Sequence, residues 1–186
     1  MRTFVAIKMG DAVKSKLIPL LERLRRAEKG VKWVGPEGLH FTLKFLGEVD
    51  GERLPEVESV LASAARDAKT FTLACTGTGT FPPASRSARV IWAGIVPEPS
   101  LMRLQARLED DLEVLDFPKE RRPFHPHVTL GRVKHPSGLG NRGSQILEKE
   151  RETFFGETVV EKVTFFRSEL KPTGAVYTTI SEFEIP

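Results

Sequence analysis

The pattern His-x-Thr-Leu occurs twice in this chain, as His40-Phe41-Thr42-Leu43 and His127-Val128-Thr129-Leu130, 87 residues apart. Each copy lies in a run with the alternation of a β-strand. In Leu39-His40-Phe41-Thr42-Leu43-Lys44-Phe45 successive side chains point to opposite faces, so His40 and Thr42 emerge together while Leu39, Phe41, Leu43 and Phe45 take the core side. The second copy places Val128 and Leu130 inward and His127 with Thr129 outward. A single His-x-Thr carries little weight, because threonine favours strands for steric reasons and a lone histidine is commonly structural. Repetition at a fixed offset implies an internal duplication, and the chain must then fold as two related halves.

Other elements recur at the same spacing. The opening strand, Arg2 to Lys8, has its counterpart in Arg89-Val90-Ile91-Trp92-Ala93-Gly94-Ile95. A helix is expected from Asp11, as N-cap, through Val13, Leu17, Leu20, Leu21 and Leu24 to a stop at Gly30, with Pro19 kinking or splitting it. Its partner begins at Pro99, with Leu101, Leu104, Leu108 and Leu112 as the apolar stripe. Leu54 to Ala65 reads as a second helix, with Val57, Val60, Leu61 and Ala64 inward, and Gln145 to Phe154 matches it weakly beyond Gly138, Gly140 and Gly143. Strands at Thr70–Cys75 and Val90–Ile95 answer to Thr158–Val163 and Ala175–Ile180, and Gly77 to Pro83 reads as a turn. The implied fold is α+β: one domain over 1–186, with repeats of about 1–88 and 89–186 forming two lobes related by a pseudo-two-fold axis. Antiparallel sheets with outer helices should then flank a central cleft carrying both His-x-Thr motifs.

Composition narrows the class without naming a function. At 186 residues, 40% hydrophobic and 28% charged, the chain can bury a substantial core. Its apolar runs are far shorter than a membrane span and Met1-Arg2-Thr3-Phe4 enters a strand directly, so a cytoplasmic protein is expected, with monomer the default. The one cysteine, Cys75, excludes an intramolecular disulfide and occupies an apolar strand position suited to the core. A net charge of +3 is modest. Basic residues nonetheless cluster in loops, at Arg86 and Arg89, at Lys119, Arg121 and Arg122, and at Arg132, Lys134 and Arg142, a rim suited to a phosphate-bearing polyanion.

Two imidazoles, each beside a hydroxyl, suit in-line displacement at phosphorus. With an ordinary pKa near 6.5, one can accept the proton of an incoming oxygen while the other protonates the departing one. The two must lie on opposite sides of phosphorus, which equivalent strands from duplicated halves provide. Thr42 and Thr129 would donate to the non-bridging oxygens. An RNA-end binder without catalysis would use the same basic rim and aromatics but has no need of two titrating groups with paired hydroxyls. A metal-dependent phosphohydrolase is disfavoured because the acidic residues lie mostly in helix patterns, away from the histidine strands.

At these residues the chain resembles the two-histidine phosphoesterases, and within them the LigT-like RNA 2′,3′-cyclic phosphodiesterases historically called 2′-5′ RNA ligases. The resemblance rests on Leu39 to Gly47, on Arg122-Pro123-Phe124-His125-Pro126-His127-Val128-Thr129-Leu130-Gly131-Arg132, and on Ser168-Glu169-Leu170-Lys171-Pro172-Thr173-Gly174-Ala175-Val176-Tyr177. It covers essentially the whole chain. It implies hydrolysis of a 2′,3′-cyclic phosphate at an RNA end to a 2′-phosphate, without metal or other cofactor, and reversible 2′-5′ joining. It also implies that His40 donates a proton to the leaving 3′ oxygen and that His127 accepts one from water. The residues themselves assign neither direction, because the two motifs are near mirror images.

Arg132 is a candidate phosphate or RNA contact, although strand parity puts it opposite His127 unless Gly131 opens a bulge. His125 shares the parity of His127, but without further spaced ligands a supporting role is favoured over zinc binding. His135 reads as an exposed loop residue. Trp33 and Phe124 precede the histidine strands and are candidates either for stacking on a base or for packing.

Overall fold

The computed structural model describes residues 1–83, 85–134, 138–171 and 174–186. Strand β1 (Arg2–Lys8) is buried on both faces, with Val5 and Ile7 turned toward the main core and Phe4 and Ala6 toward a second, smaller cluster. Helix α1 (Asp11–Ala27) buries the expected stripe of Val13, Leu17, Leu20, Leu21 and Leu24. It starts one residue earlier than expected, with Gly10 as the capping position and Asp11 in the first turn, where its charge suits the helix dipole. Pro19 does not split it. Pro19 and Ser15 are both exposed, so the Ser15 carbonyl that loses its intrahelical donor faces solvent.

Four later elements depart from the sequence reading. Strand β2 (Val31–Trp33) is too short to show an alternation and went unread. After β3 (His40–Glu48) and α2 (Leu54–Asp67), strand β4 runs from Phe71 to Phe81, through the segment expected to turn. A bulge at Gly77 makes this possible: its φ is +76°, and a Cβ there would meet the Arg151 carbonyl oxygen at 2.4 Å. Beyond β5 (Val90–Ile95), α3 (Pro99–Glu113) and β6 (His127–Val133), helix α4 spans Asn141–Lys149, several residues earlier than expected. The Glu28 carboxylate fixes its start by accepting the Gly143 N–H at 2.7 Å. The segment Thr158–Val163 is two strands rather than one, because β7 (Phe154–Val160) ends and β8 (Lys162–Lys171) begins within it; β9 (Gly174–Glu184) follows.

The strands join in the order β7-β4-β5-β6-β3-β1-β8-β9, with β2 added to β6, and every pairing is antiparallel. This order is symmetric about the β6–β3 junction, with the equivalent strands β5 and β1 next outward on either side. That junction consists of a single ladder pair, Phe41 with Val128. The helices cross over: α1 packs on β7 and α4, whereas α3 packs on β3 and α2, and α2 also covers β8 and β9. The main core lies between sheet and helices and includes Phe41, Leu43, Val128 and Leu130. The opposite face carries the small cluster of Phe4, Ala6 and Phe166, with Tyr177 against it. Among the described residues, no helix is long and apolar enough to cross a membrane.

Candidate active site

His40 and His127 are the first residues of β3 and β6, the two strands that meet at the centre of the sheet. With Phe41 paired to Val128 and both in the core, antiparallel register sets Thr42 across from His127 and His40 across from Thr129. All four side chains share the face turned away from the helices, and all are half-buried. Beyond that one pair β3 and β6 part company, and the freed edge of β6 takes up β2 instead. The motifs therefore converge where the sheet opens.

Strand β6 is bulged beside Gly131, which changes the parity of the residues that follow. Ile91 pairs with Gly131 and Trp92 with Thr129, so one residue of β6 is skipped and Arg132 moves to the face of His127. Its charge acts on both His127 and Tyr177. The Gly131 position admits no side chain, since a Cβ would lie 2.7 Å from the Trp33 ring and 2.8 Å from Val31. Strand β3 has the matching irregularity: Val5 pairs with Lys44 and Ala6 with Thr42. Here the sequence reading is corrected. Lys44 turns inward, 5% exposed, and Phe45 turns outward, 60% exposed, the reverse of a simple alternation. Lys44 Nζ donates to Glu109 Oε2 at 2.5 Å and to the Pro118 carbonyl at 2.9 Å, so the inverted lysine is fully engaged.

The surroundings of the two imidazoles differ. His40 stacks on Phe4 at 4.9 Å between ring centroids, meets Tyr177 edge-on at 4.9 Å, and lies 5.7 Å from Phe166. Burial in this aromatic box lowers its pKa to about 4, and its Nδ1 has no hydrogen-bond partner among the described residues. A bare nitrogen there costs less than a buried N–H without an acceptor, which favours the tautomer protonated on Nε2. His127 is also lowered by burial, with the charges of His125 and Arg132 adding to the effect and the His125 carbonyl opposing it. That carbonyl accepts the Nδ1 proton at 2.7 Å, which leaves Nε2 as the bare nitrogen.

Phe4, Phe166 and Tyr177 went unread as site residues. Tyr177 ends the third motif, but only long-range pairing of β1 with β8, and of β8 with β9, brings it and Phe166 to His40. Other candidates find quieter places. Trp33 packs on Gly131 and donates Nε1–H to the Glu28 carbonyl at 3.2 Å, and Phe124 packs on Phe41. The exposed His125 ring lies against Phe81 and Trp92, while its backbone orients His127. Cys75 is buried, and burial pushes its thiol up to about 12. Lys119 is held by Asp110 and Glu113, and Arg142 lies on α4, so the expected basic rim does not converge as a whole. His135 lies outside the described residues. Among the described residues no group of three or more His, Cys, Asp or Glu is arranged to hold a metal ion.

The same fold is found in known proteins. The family model for the 2′-5′ RNA ligase superfamily matches residues 13–172. An RNA 2′,3′-cyclic phosphodiesterase of Archaeoglobus fulgidus is 36% identical over 184 residues, covering 99% of this chain and 100% of its own. One of Methanothermobacter thermautotrophicus is 32% identical over 184 residues, with 99% and 98% covered. The crystal structure of TT0787 of Thermus thermophilus superposes with a TM-score of 0.84 at 33% identity, covering 100% of this chain and 98% of that one. Escherichia coli LigT complexed with 3′-AMP shares the fold, at a TM-score of 0.76 and 24% identity over 99% of this chain and 97% of its own. By its sequence over nearly the whole length and by its fold, the chain belongs to the 2′-5′ RNA ligase superfamily.

Proposed function

We propose that this protein is an RNA 2′,3′-cyclic phosphodiesterase that opens the cyclic phosphate at an RNA end to leave a 2′-phosphate. The observation that carries the reading is the convergence of His40 and His127, each with a threonine of its own motif, on one face where β3 meets β6, with relatives named for this activity as its support. The bare Nε2 of His127 is placed to accept a proton from water as the new P–O bond forms. His40 enters the step as the imidazolium, protonated once the phosphate is bound, and its Nε2–H is placed to donate to the 3′ oxygen as the P–O3′ bond breaks. His127 ends protonated and His40 neutral, and solvent restores both. Thr42 and Thr129 donate to non-bridging oxygens and Arg132 balances their charge. With the 5′-hydroxyl of a second RNA in place of water, the same groups in the same roles would form a 2′-5′ phosphodiester as the P–O3′ bond breaks, and in exchanged roles they would return that bond to the cyclic phosphate and the free 5′-hydroxyl.

The experiment is incubation with an oligoribonucleotide ending in a 2′,3′-cyclic phosphate, in excess EDTA, with the product mapped as 2′- or 3′-phosphate. A 2′-phosphate is expected. His40→Ala and His127→Ala should each lower kcat by about 10²–10⁴, the usual worth of a positioned proton-transfer group. Near-normal turnover in either variant overturns the two-histidine mechanism, and no turnover by the wild-type protein leaves a binder of RNA ends.

A further inference from the structure

A groove of about 370 Å³ lies away from the histidines, between the C-terminal half of α1 and the outer face of α4. Arg23, Arg26, Arg142 and Lys149 line it over a floor that includes Ala27 and Ile146, and no acidic residue does. Elsewhere on the surface Arg107, Lys119 and Lys162 are each held by two carboxylates. In the groove only Arg23 is paired, with Glu150 at 2.7 Å, and Arg26, Arg142 and Lys149 have no ion-pair partner among the described residues. Concentrating like charges on two facing helices disfavours the fold unless an anion joins them.

The groove is held in shape at both ends. Glu28, just past α1, accepts N–H groups from Gly140 and Gly143 at 3.3 and 2.7 Å, and Gly143 is glycine because a Cβ would lie 2.6 Å from Glu28 Cγ. At the other end Arg23 grips Glu150 just past α4. The helices are therefore locked antiparallel before any ligand arrives. A path of positive charge leads from it to the cleft. Lys32 stands beside Arg132 in the β2–β6 register, and the exposed Lys134 and Lys29 follow where the Lys134 N–H meets the Gly30 carbonyl.

We infer that this groove holds backbone phosphates of the RNA whose end occupies the cleft, which makes the enzyme selective for polynucleotides over cyclic mononucleotides. The inference rests on the cyclic phosphodiesterase reading for the identity of the polymer, and its test separates the two. Arg26→Glu/Arg142→Glu removes two exposed cations and spares both clamps. Its KM for a long oligoribonucleotide with a 2′,3′-cyclic end should rise about tenfold or more, with the slope of log KM against log salt shallower by about 1.4, from two phosphate contacts at about 0.7 each on a single strand. Its kcat and KM for cytidine 2′,3′-cyclic monophosphate should not change. The neutralising pair Arg26→Gln/Arg142→Gln should give a smaller shift in the same direction. Fluorescence anisotropy with the same oligonucleotide carrying a 3′-hydroxyl reads binding without catalysis and should weaken in parallel. An unchanged KM ratio and unchanged anisotropy overturn the groove while leaving the catalytic reading intact. A wild-type protein that binds the oligonucleotide through the groove but opens neither cyclic substrate overturns the catalytic reading alone.

Discussion

His40 is the residue whose environment departs furthest from what its letter suggests. An acid at the departing oxygen must carry a proton, yet the aromatic box holds this imidazole neutral in the free enzyme down to a pH of about 4. Burial lowers His127 below 6.5 as well. On the mechanism proposed above, the productive form, with His40 protonated and His127 neutral, is therefore most abundant below neutrality, and kcat/KM should fall as pH rises through the neutral range. Bound phosphate stabilises the imidazolium, so the alkaline limb of kcat should lie at higher pH than that of kcat/KM. Tyr177→Ser, which lets water reach His40, should move the kcat/KM limb upward by relieving desolvation. Parallel pH profiles of the two proteins check this, and an unmoved limb would mean that Tyr177 does not shield His40. The histidines and threonines were legible because strand alternation is a local signal. The box was not, because Phe4, Phe166 and Tyr177 come from strands brought together by long-range pairing.

At the scale of the strand, the paired bulges in β3 and β6 decide which side chains enter the cleft. A regular β3 would place Lys44 beside Thr42 and bury Phe45; the bulge inverts both. No residue type marks the bulge in β3, whereas Gly131 hints at the one in β6, which is why alternation read correctly to Leu43 and failed at the next residue. The inverted Lys44 ends in a buried pair with Glu109, which also accepts from Gln105 Nε2 at 3.1 Å and the Glu120 N–H at 3.2 Å. Lys44→Met strands that carboxylate and should lower stability to urea by about 3–5 kcal/mol, the usual result of breaking a buried pair. The double variant Lys44→Met/Glu109→Leu should recover most of the loss, since neither charge is then left buried. A double variant no more stable than the single would show that the pair is not what holds the bulge.

At the scale of the molecule, the 87-residue spacing revealed duplication but not how the copies are assembled. The sequence halves and the halves of the sheet are different sets of strands: β8 and β9 extend the side that begins with β3 and β1, and β4 joins β5 and β6 on the other. Pairing partners so far apart leave no local trace, so a repeat can be read where its exchange of elements cannot. The exchange extends to the helices, for α1 rests on β7 and α4, and α3 on β3 and α2. Residues 1–88 alone would keep β1 beside β3 but lose β8, β5 and β6, together with the partners of both their helices. Residues 89–186 alone would leave β8 paired only with β9 and α3 without its packing surface. Neither fragment can close a core, and each exposed strand edge would lack a partner. Expressed separately, the two should show little protection from hydrogen exchange; mixed, they should recover the helix and strand content of the intact chain and, with both histidine motifs reunited, its activity. A fragment that folds cooperatively on its own would show that the halves are independent domains, and the exchange of strands would then have to be a feature of assembly rather than a condition of folding.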